Sequence, residues 1–298
     1  MRRTLWAVAL LVPVIASAQT QQSSFARTDT SSLRRRLDSL AKSHHGELAY
    51  TVHNLDTGER FERRGDESFP TASLIKVPIL VTLFDLVEKG SISLDDPIRV
   101  LKIDKVPGSG MLQNLHDGIE ITVRDAAWLM VTISDNTATN LLLDKVAIRR
   151  VWEKMEALGL PKSKVHAKSF QRFTSVAMDS SVKYGLGVTT SNEMARLFGL
   201  LADGKAVNPT ADSVMLSFLD NNQNNEQMRR FAGGVRMATK DGAGDQIRTE
   251  CALFRLQSRV VACVLTDRNQ DRSWAIDNEA QVTLANFGKA IVSAWPKK

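Results

Sequence analysis

Cysteines and metal-binding patterns are scarce in this sequence. It contains two cysteines and five histidines among 298 residues. The histidines show no His-Glu-x-x-His or similar ligand spacing, so a metal hydrolase is poorly supported. We therefore expect no metal and no cofactor. Internal repeats and low-complexity tracts are also absent from the sequence, which excludes a repeat architecture.

No apolar run in the sequence is long enough to cross a bilayer. The N-terminal run, Leu5 to Ile15, has about eleven residues and contains Pro13, whereas a spanning helix needs about twenty. Two arginines precede this run, and Ala16-Ser17-Ala18 supplies small residues where a signal peptidase cleaves. We interpret residues 1–18 as a cleaved secretory signal rather than an uncleaved anchor. This predicts a secreted or periplasmic protein with no stable membrane insertion, and residues 19–30 are predicted to be a polar linker.

A strongly basic tract is also lacking. The formal net charge is +6, and the positive residues are scattered along the chain. The one tight cluster, Arg34 to Arg36, lies in a predicted amphipathic helix in which Leu33, Leu37 and Leu40 recur at helical spacing. This pattern differs from the basic face of a nucleic-acid-binding protein, so we expect no nucleic-acid partner. The hydrophobic content of 43% and the charged content of 24% are typical of a globular protein.

The two cysteines flank a predicted hairpin. Cys251 and Cys263 each lie six residues from Gln257, at the turn between two strand-like segments. They could face each other across neighbouring strands, where opposed Cα atoms lie about 4.5 to 5.5 Å apart and a disulfide can form. Export would permit the disulfide, but two reduced, buried cysteines fit the pattern equally well.

Strand patterns occur near both ends of the chain, and helical patterns fill the middle. The predicted strands cover residues 48–54, 59–64, 235–240, 250–256 and 259–266, and the predicted final helix covers residues 279–294. The middle of the chain, from Ser73 to Leu201, is predicted to be all-helical. We therefore predict one folded domain over 31–298, with a sheet lobe at about 31–70 and 205–298 and a helical lobe at about 71–204.

The candidate nucleophile is Ser73, which begins a long apolar helical pattern. Its spacing of three from Lys76 puts the hydroxyl and the amine on one helix face. A lysine whose pKa is lowered by burial or by a nearby cation can activate a serine. The same spacing occurs twice elsewhere in the sequence, so it is not specific alone. Pro78, however, removes the donor that would bond to Leu74, which predicts an irregular first turn with unpaired amides near Ser73.

Two further motifs follow at longer distances. Ser134-Asp135-Asn136 lies between two apolar helical patterns, which favours a turn that faces a cavity. The alternative is that these residues only cap the second helix, which their side chains do well. Lys240 to Gly244 ends a predicted strand, and Gly242 there would allow a substrate to approach the backbone.

These three motifs, in this order, resemble the Ser-x-x-Lys, Ser-Asp-Asn and Lys-Thr-Gly set of class A β-lactamases and penicillin-binding proteins. The resemblance extends from about Leu33 to Trp295 and includes Pro107-Gly-Ser-Gly and residues 115–122. It implies an α+β fold with a five-stranded antiparallel sheet that is flanked by helices, beside an all-helical lobe. It also implies a monomer that acts on a small-molecule β-lactam or a peptidoglycan-like substrate.

The resemblance implies specific roles for the motif residues. Ser73 would attack the carbonyl, Lys76 would help to remove its proton, and Ser134 would relay a proton to the leaving nitrogen. The backbone N–H groups of Ser73 and Ala243 would form the oxyanion hole. Asn136 would bind a substrate amide, and Lys240 would attract a carboxylate. The substrate-binding residues are thus expected to be Asn136, Lys240, Asp241, Gly242, Ala243 and Arg248.

The third motif departs from the family pattern, because Asp241 stands where the family has Thr or Ser. An ionised aspartate would repel the carboxylate of a penicillin. Asp241 could pair with Lys240, it could point away, or the substrate could differ from a penicillin. Arg248, just downstream, could supply a compensating positive charge.

The loop that carries the deacylating glutamate in class A enzymes also lacks its motif. Between Glu156 and Glu193, the sequence contains no Glu-x-x-Leu-Asn, and Asp179 is the only carboxylate. Asp179 could activate water if the loop folds inward, whereas a solvated loop carboxylate is the simpler interpretation.

The sequence therefore predicts a serine hydrolase that opens a β-lactam ring through an acyl-enzyme at Ser73. One alternative is a penicillin-binding or D-Ala-D-Ala peptidase-like protein, or a sensor that stays acylated, because the loop glutamate is missing. Another alternative is an esterase, because Asp241 would suit a substrate that lacks a carboxylate.

Overall fold

The computed structural model describes residues 31–295 and residue 297. The predicted signal peptide (1–18) and linker (19–30) lie outside the described residues. The described helices are α1 (Ser31–Ser43), α2 (Lys76–Glu88), α3 (Val123–Thr132), α4 (Asn136–Val146), α5 (Ile148–Ala157), α6 (Met178–Tyr184), α7 (Ser191–Ala202), α8 (Pro209–Asp220) and α9 (Glu279–Ala294). The described strands are β1 (Glu47–Asn54), β2 (Arg60–Arg63), β3 (Phe69–Pro70), β4 (Pro97–Val100), β5 (Ile119–Thr122), β6 (Lys164–Val165), β7 (Gly187–Thr189), β8 (Met237–Gly244), β9 (Ile247–Arg255) and β10 (Arg259–Asp267).

Strands from both ends of the chain build one antiparallel sheet in the order β2-β1-β10-β9-β8. The α+β fold with a five-stranded antiparallel sheet is thus confirmed. Successive side chains of a strand point to opposite faces, and in β10 they enter two different cores. Val260, Ala262 and Val264 face one core, and Val261 and Leu265 face the other. Because both faces are covered, these strands are nearly continuous runs of apolar residues.

The two cysteines are directly opposite each other in β9 and β10. They form a disulfide, and their Cα atoms are 4.1 Å apart. The sequence left open whether the two cysteines are bridged or reduced, and in the structure they are bridged. The bond ties β9 to β10, and β9 in turn pairs with the edge strand β8.

Helices cover both faces of the sheet. The helices α1 and α9 pack on one face, where the rings of Tyr50 and Phe287 lie 5.3 Å apart. The other face carries α7 and, beyond it, the helices around α2. Every residue of α2 from Lys76 to Phe84 is buried, as expected for a helix that is apolar on all sides. This helix is the rigid support of the candidate nucleophile.

The middle of the chain is mainly helical, but the prediction that it is all-helical is wrong. Strands β3, β7 and β6 form a small sheet, and β4 pairs with β5. These strands have two to four residues each, which is too short for an alternating pattern to be recognised. The lobe boundaries stay a prediction, since one core joins α2 to sheet residues such as Leu265. In the described part of the chain, no helix has the length and hydrophobicity needed to cross a bilayer.

Candidate active site

Ser73 lies in a short 3₁₀ helix, Ala72–Ile75, and the α-helix begins only at Lys76. The irregular first turn predicted from Pro78 is thus confirmed. Ala72 has a φ of +44°, in the left-handed region that residues with a Cβ rarely adopt. The hydroxyl of Thr249 donates a hydrogen bond of 2.9 Å to the carbonyl of Thr71, which holds this strained segment against the sheet. Such strain persists only where the surrounding structure fixes it, and it is frequent at functional sites.

Ser73 opens into a cavity of about 930 Å³ between the sheet and the helices. All three sequence motifs reach it. Those of their residues that line the cavity are Ser73, Ser134, Asn136, Asp241, Ala243 and Gly244. The fold therefore joins motifs that are separated by 61 and by a further 106 positions in the sequence.

Lys76 is completely buried beneath the floor of this cavity. Its Nζ lies 2.7 Å from the carbonyl oxygen of Ser134, 3.1 Å from Ser134 Oγ and 2.9 Å from Asn136 Oδ1. A hydrogen bond to Ser73 Oγ, which the spacing suggested, is not among these contacts. Burial, followed by the positive charge of Lys240, holds the pKa of Lys76 well below its usual range. The lysine is therefore suited to act as a neutral amine and as a base.

The Ser134-Asp135-Asn136 turn serves the site and the helix together. Asp135 Oδ1 accepts a hydrogen bond from the N–H of Ala138 and caps α4, so the capping interpretation is right for this residue. Ser134 has a φ of +58°, and its Oγ lies 3.1 Å from Lys76 Nζ and 3.2 Å from Lys240 Nζ. Ser134 is thus the one hydroxyl in the described part of the chain that bridges the two buried lysines.

Gly242 has a different neighbour from the one that the sequence suggested. A Cβ at this position would lie 2.4 Å from the carbonyl oxygen of Thr71 and 2.9 Å from the N of Leu74. The close approach is therefore made by the nucleophile segment and not by a substrate. Because β8 is an edge strand, part of its backbone lacks a strand partner and can bind a substrate, and Ala243 lines the cavity there.

Asp241 pairs with the lysine beside it, which was one of the open possibilities. Its Oδ1 lies 3.1 Å from Lys240 Nζ and accepts a hydrogen bond of 3.0 Å from Asn222 Nδ2. Burial disfavours the charged carboxylate, but Lys240, Asn224 and Asn222 outweigh burial and hold the pKa of Asp241 well below its usual range. Asp241 is therefore ionised beside the cavity and neutralises much of the charge of Lys240.

Glu250 is a second buried carboxyl group, and none of the three sequence motifs pointed to it. It lies directly opposite Asp241 in the strand register. Its side chain accepts hydrogen bonds from Thr239 Oγ1 and from the N–H of Met228. Burial raises the pKa of Glu250 to about 7, and Asp241 adds to the increase. A glutamate within the apolar pattern of β9 was the available signal, because this residue type is rarely buried.

Arg248 does not face the substrate cavity. It is buried, and its guanidinium donates hydrogen bonds to the carbonyl oxygens of Gly244, Ile247 and Ser273. The indole ring of Trp274 covers it at a centroid distance of 4.7 Å. The expectation that Arg248 offsets the charge of Asp241 is therefore not supported by its position.

The geometry agrees with comparisons to known proteins. The model of the β-lactamase enzyme family matches residues 32–295. The chain belongs to the β-lactamase enzyme family. It is a class A-like serine hydrolase of that family, as the three sequence motifs indicated.

Individual β-lactamases cover most of the chain at low identity. It is 23% identical to β-lactamase CARB-3 of Pseudomonas aeruginosa over 80% of each chain. It is 25% identical to β-lactamase ROB-1 of Haemophilus influenzae, over 83% of this chain and 78% of that protein. The crystal structure of a β-lactamase from Sphaerobacter thermophilus has a TM-score of 0.78 and 28% identity, with 89% of this chain and 97% of that one covered.

The loop that differs from the class A pattern contributes a serine to the cavity. Asp179 is exposed on α6 and is not part of the lining, so the structure does not bring it to Ser73. Ser169 does line the cavity. Asn140 holds its backbone on both sides, since Asn140 Oδ1 accepts from the N–H of Ser169 and Asn140 Nδ2 donates to its carbonyl oxygen. Ser169 Oγ is buried and has no hydrogen-bond partner among the described residues.

Proposed function

We propose that this β-lactamase family member opens the ring of a β-lactam by transferring the acyl group to Ser73. The observation that carries the proposal is the buried Lys76, whose pKa is lowered and whose Nζ contacts Ser134 and Asn136 beside Ser73. A neutral lysine amine offers two N–H donors and one lone pair. The donors suit the carbonyl oxygen of Ser134 and the Asn136 amide oxygen, which leaves the lone pair to accept a proton.

In the acylation step, Ser73 Oγ forms a bond to the lactam carbonyl carbon, and its proton passes to Lys76. The C–N bond of the ring then breaks. The leaving nitrogen takes a proton from Ser134 Oγ, and Lys76 returns its proton to Ser134, which lies 3.1 Å away. Lys76 therefore ends the step neutral, and the product is an ester at Ser73.

Binding groups surround this reaction centre. The backbone N–H groups of Ser73 and Ala243 would stabilise the developing oxyanion, and one such donor is worth about 3 to 4 kcal/mol. Asn136 would bind the side-chain amide of the substrate. Lys240 would attract a carboxylate, although Asp241 weakens this attraction because the two groups lie 3.1 Å apart.

Water would complete the reaction by hydrolysing the ester. Among the cavity-lining residues that the structure describes, Asp241 is the one carboxylate, and Lys240 holds it. No carboxylate on the loop is in place to activate water, so we expect deacylation to be slower than acylation. We also propose export through residues 1–18.

The experiment is a hydrolysis assay that follows the lactam absorbance of benzylpenicillin, with protein produced from the full chain. Wild type should turn over the substrate, and Ser73→Ala should reduce the rate to the background level. Ser39→Ala is the matched control, since Ser39 has the same spacing to Lys42 but is exposed on α1. Hydrolysis that survives Ser73→Ala, or no reaction with wild type, would contradict the proposal.

A further inference from the structure

The outward face of α6 is apolar, although it is exposed to solvent. Ser181 and Tyr184 line the cavity that contains Ser73, so their side of the helix faces inward. Met178 and Val182 lie one helical turn apart, do not line the cavity, and are 47% and 65% exposed. A helix face that meets only water is normally polar. The exposed apolar face of α6 therefore indicates a contact with something other than water.

Phe173 extends this apolar surface along the chain. It is 81% exposed and lies in a short 3₁₀ helix, Arg172–Thr174, just before α6. The backbone between Phe173 and α6 is held in place, since the Arg149 guanidinium donates a hydrogen bond of 3.0 Å to the carbonyl oxygen of Val176. The three apolar side chains therefore belong to one continuous surface segment.

Three cations border these apolar side chains. Arg172 and Lys183 are the sequence neighbours of Phe173 and Val182, and Arg149 contacts the backbone between them. All three cations are exposed, and none forms an ion pair with a residue that the structure describes. The α6 patch is defined here as Phe173, Met178, Val182, Arg149, Arg172 and Lys183.

The segment around the patch carries charge of mainly one sign. Residues 162–184 contain five lysine and arginine residues and one carboxylate, Asp179, so their net charge is +4 out of +6 for the whole chain. These cations are not adjacent in the sequence and form no basic tract. Contact with a second copy of the same patch would bring like charges together, which is unfavourable. An anionic surface is the complementary partner.

We propose that the α6 patch binds reversibly to the surface of a membrane that contains anionic lipids. The apolar side chains would enter the boundary between headgroups and acyl chains, and the cations would contact the lipid phosphates. A fluid interface needs no matching shape, which suits a patch built from separate side chains rather than a groove. Three apolar side chains and three charges give a weak attachment at the surface.

The test measures how the protein partitions between buffer and vesicles, by sedimentation of the vesicles. One set of vesicles contains phosphatidylcholine and phosphatidylglycerol in equal amounts, and the other contains phosphatidylcholine alone. All proteins are produced from the full chain, so any contribution of residues 1–30 is common to them. Phe173→Ser should lower the partition coefficient for the anionic vesicles about fivefold to tenfold, as expected when roughly half of a phenyl side chain leaves water. Lys183→Gln should lower it about fivefold.

Ile103→Ser and Lys102→Gln are the matched controls. Ile103 is 82% exposed, and Lys102 is an exposed lysine beside it, but both lie between β4 and β5, outside the α6 patch. Neither substitution should change the partition coefficient measurably. Since all four substituted side chains are exposed, the fold should be unaffected.

The outcomes either support the membrane contact or overturn it. Weaker binding in both patch variants and in neither control, with weak binding of wild type to phosphatidylcholine alone, supports it. Equal binding of wild type and Phe173→Ser overturns it, and so does an equal decrease with Ile103→Ser. Dimerisation that depends on concentration and that Phe173→Ser abolishes would assign the patch to a second copy of the chain instead. Because hydrolysis is not measured, the result is independent of the proposed function.

Discussion

Replacing Asp241 by asparagine isolates the effect of its charge, because the shape of the side chain and its acceptor oxygen are kept. In the wild type, the carboxylate lies 3.1 Å from Lys240 Nζ, in the region that a substrate carboxylate would approach. Two like charges about 6 Å apart repel by roughly 3 kcal/mol at an effective dielectric constant of 20. The substitution removes this repulsion, but part of the gain in substrate binding is lost because Lys240 becomes an unpaired buried cation. We therefore expect Asp241→Asn to raise kcat/KM for benzylpenicillin by about tenfold to a hundredfold.

The assay compares benzylpenicillin with a substrate that lacks the negative charge of the carboxylate. Benzylpenicillin methyl ester has the same ring and side arm but no carboxylate, so Asp241→Asn should change its kcat/KM by less than about threefold. Thermal unfolding of the variant measures the accompanying loss of stability. An equal gain with both substrates would refute the electrostatic reasoning, because the charge of the substrate would then be irrelevant. No gain with benzylpenicillin would show that Asp241 does not oppose carboxylate binding.

Two further predictions concern stability. Burial raises the pKa of Glu250 to about 7, above its value in the unfolded chain. The protonated carboxyl therefore contributes fully to the free energy of unfolding below about pH 4.5, and this contribution is lost as the pH rises through 7. Urea unfolding should show that the free energy of unfolding of wild type falls by about 3 kcal/mol between pH 5 and pH 8 because of this group. An equal fall in Glu250→Gln would refute the assignment of this pH dependence to Glu250. Gly242→Ala should cost about 1 to 3 kcal/mol and slow acylation, because its Cβ would lie 2.4 Å from the carbonyl oxygen of Thr71. Gly244→Ala, which meets only the Ile247 side chain at 3.5 Å, should be near neutral in the same unfolding assay, and similar losses for both would contradict the steric argument.

The main elements of the fold could be predicted from the sequence, because their signals are local. The final helix, Glu279–Ala294, has the predicted bounds, and the cysteines are paired as their spacing from Gln257 allowed. The short strands in the middle were missed, since pairing between distant segments stabilises them rather than their own pattern. The irregular first turn of the nucleophile segment was predicted, because Pro78 has a direct effect on the backbone, but its 3₁₀ geometry was not.

The motif residues could be predicted, but their partners could not. The Ser134 motif was recognised, yet the position of its Oγ between two buried lysines depends on how β8 packs against the 3₁₀ segment that precedes α2. The pairing of Asp241 with Lys240 was one of several possibilities until the fold selected it. Glu250 was missed although a glutamate within an apolar strand pattern was a local signal. Trp274 was missed because no local pattern marks an exposed ring near a distant cavity.

Acylation of Ser73 is tested most directly by mapping the residue to which a β-lactam becomes attached. Protein produced from the full chain is mixed with benzylpenicillin, quenched at early times and analysed by intact mass, and the adduct is then mapped to a peptide. We expect an increase equal to the whole mass of the penicillin, carried by Ser73, which decays as deacylation proceeds and is absent from Ser73→Ala. An adduct on another residue, or an adduct that persists in Ser73→Ala, would contradict it.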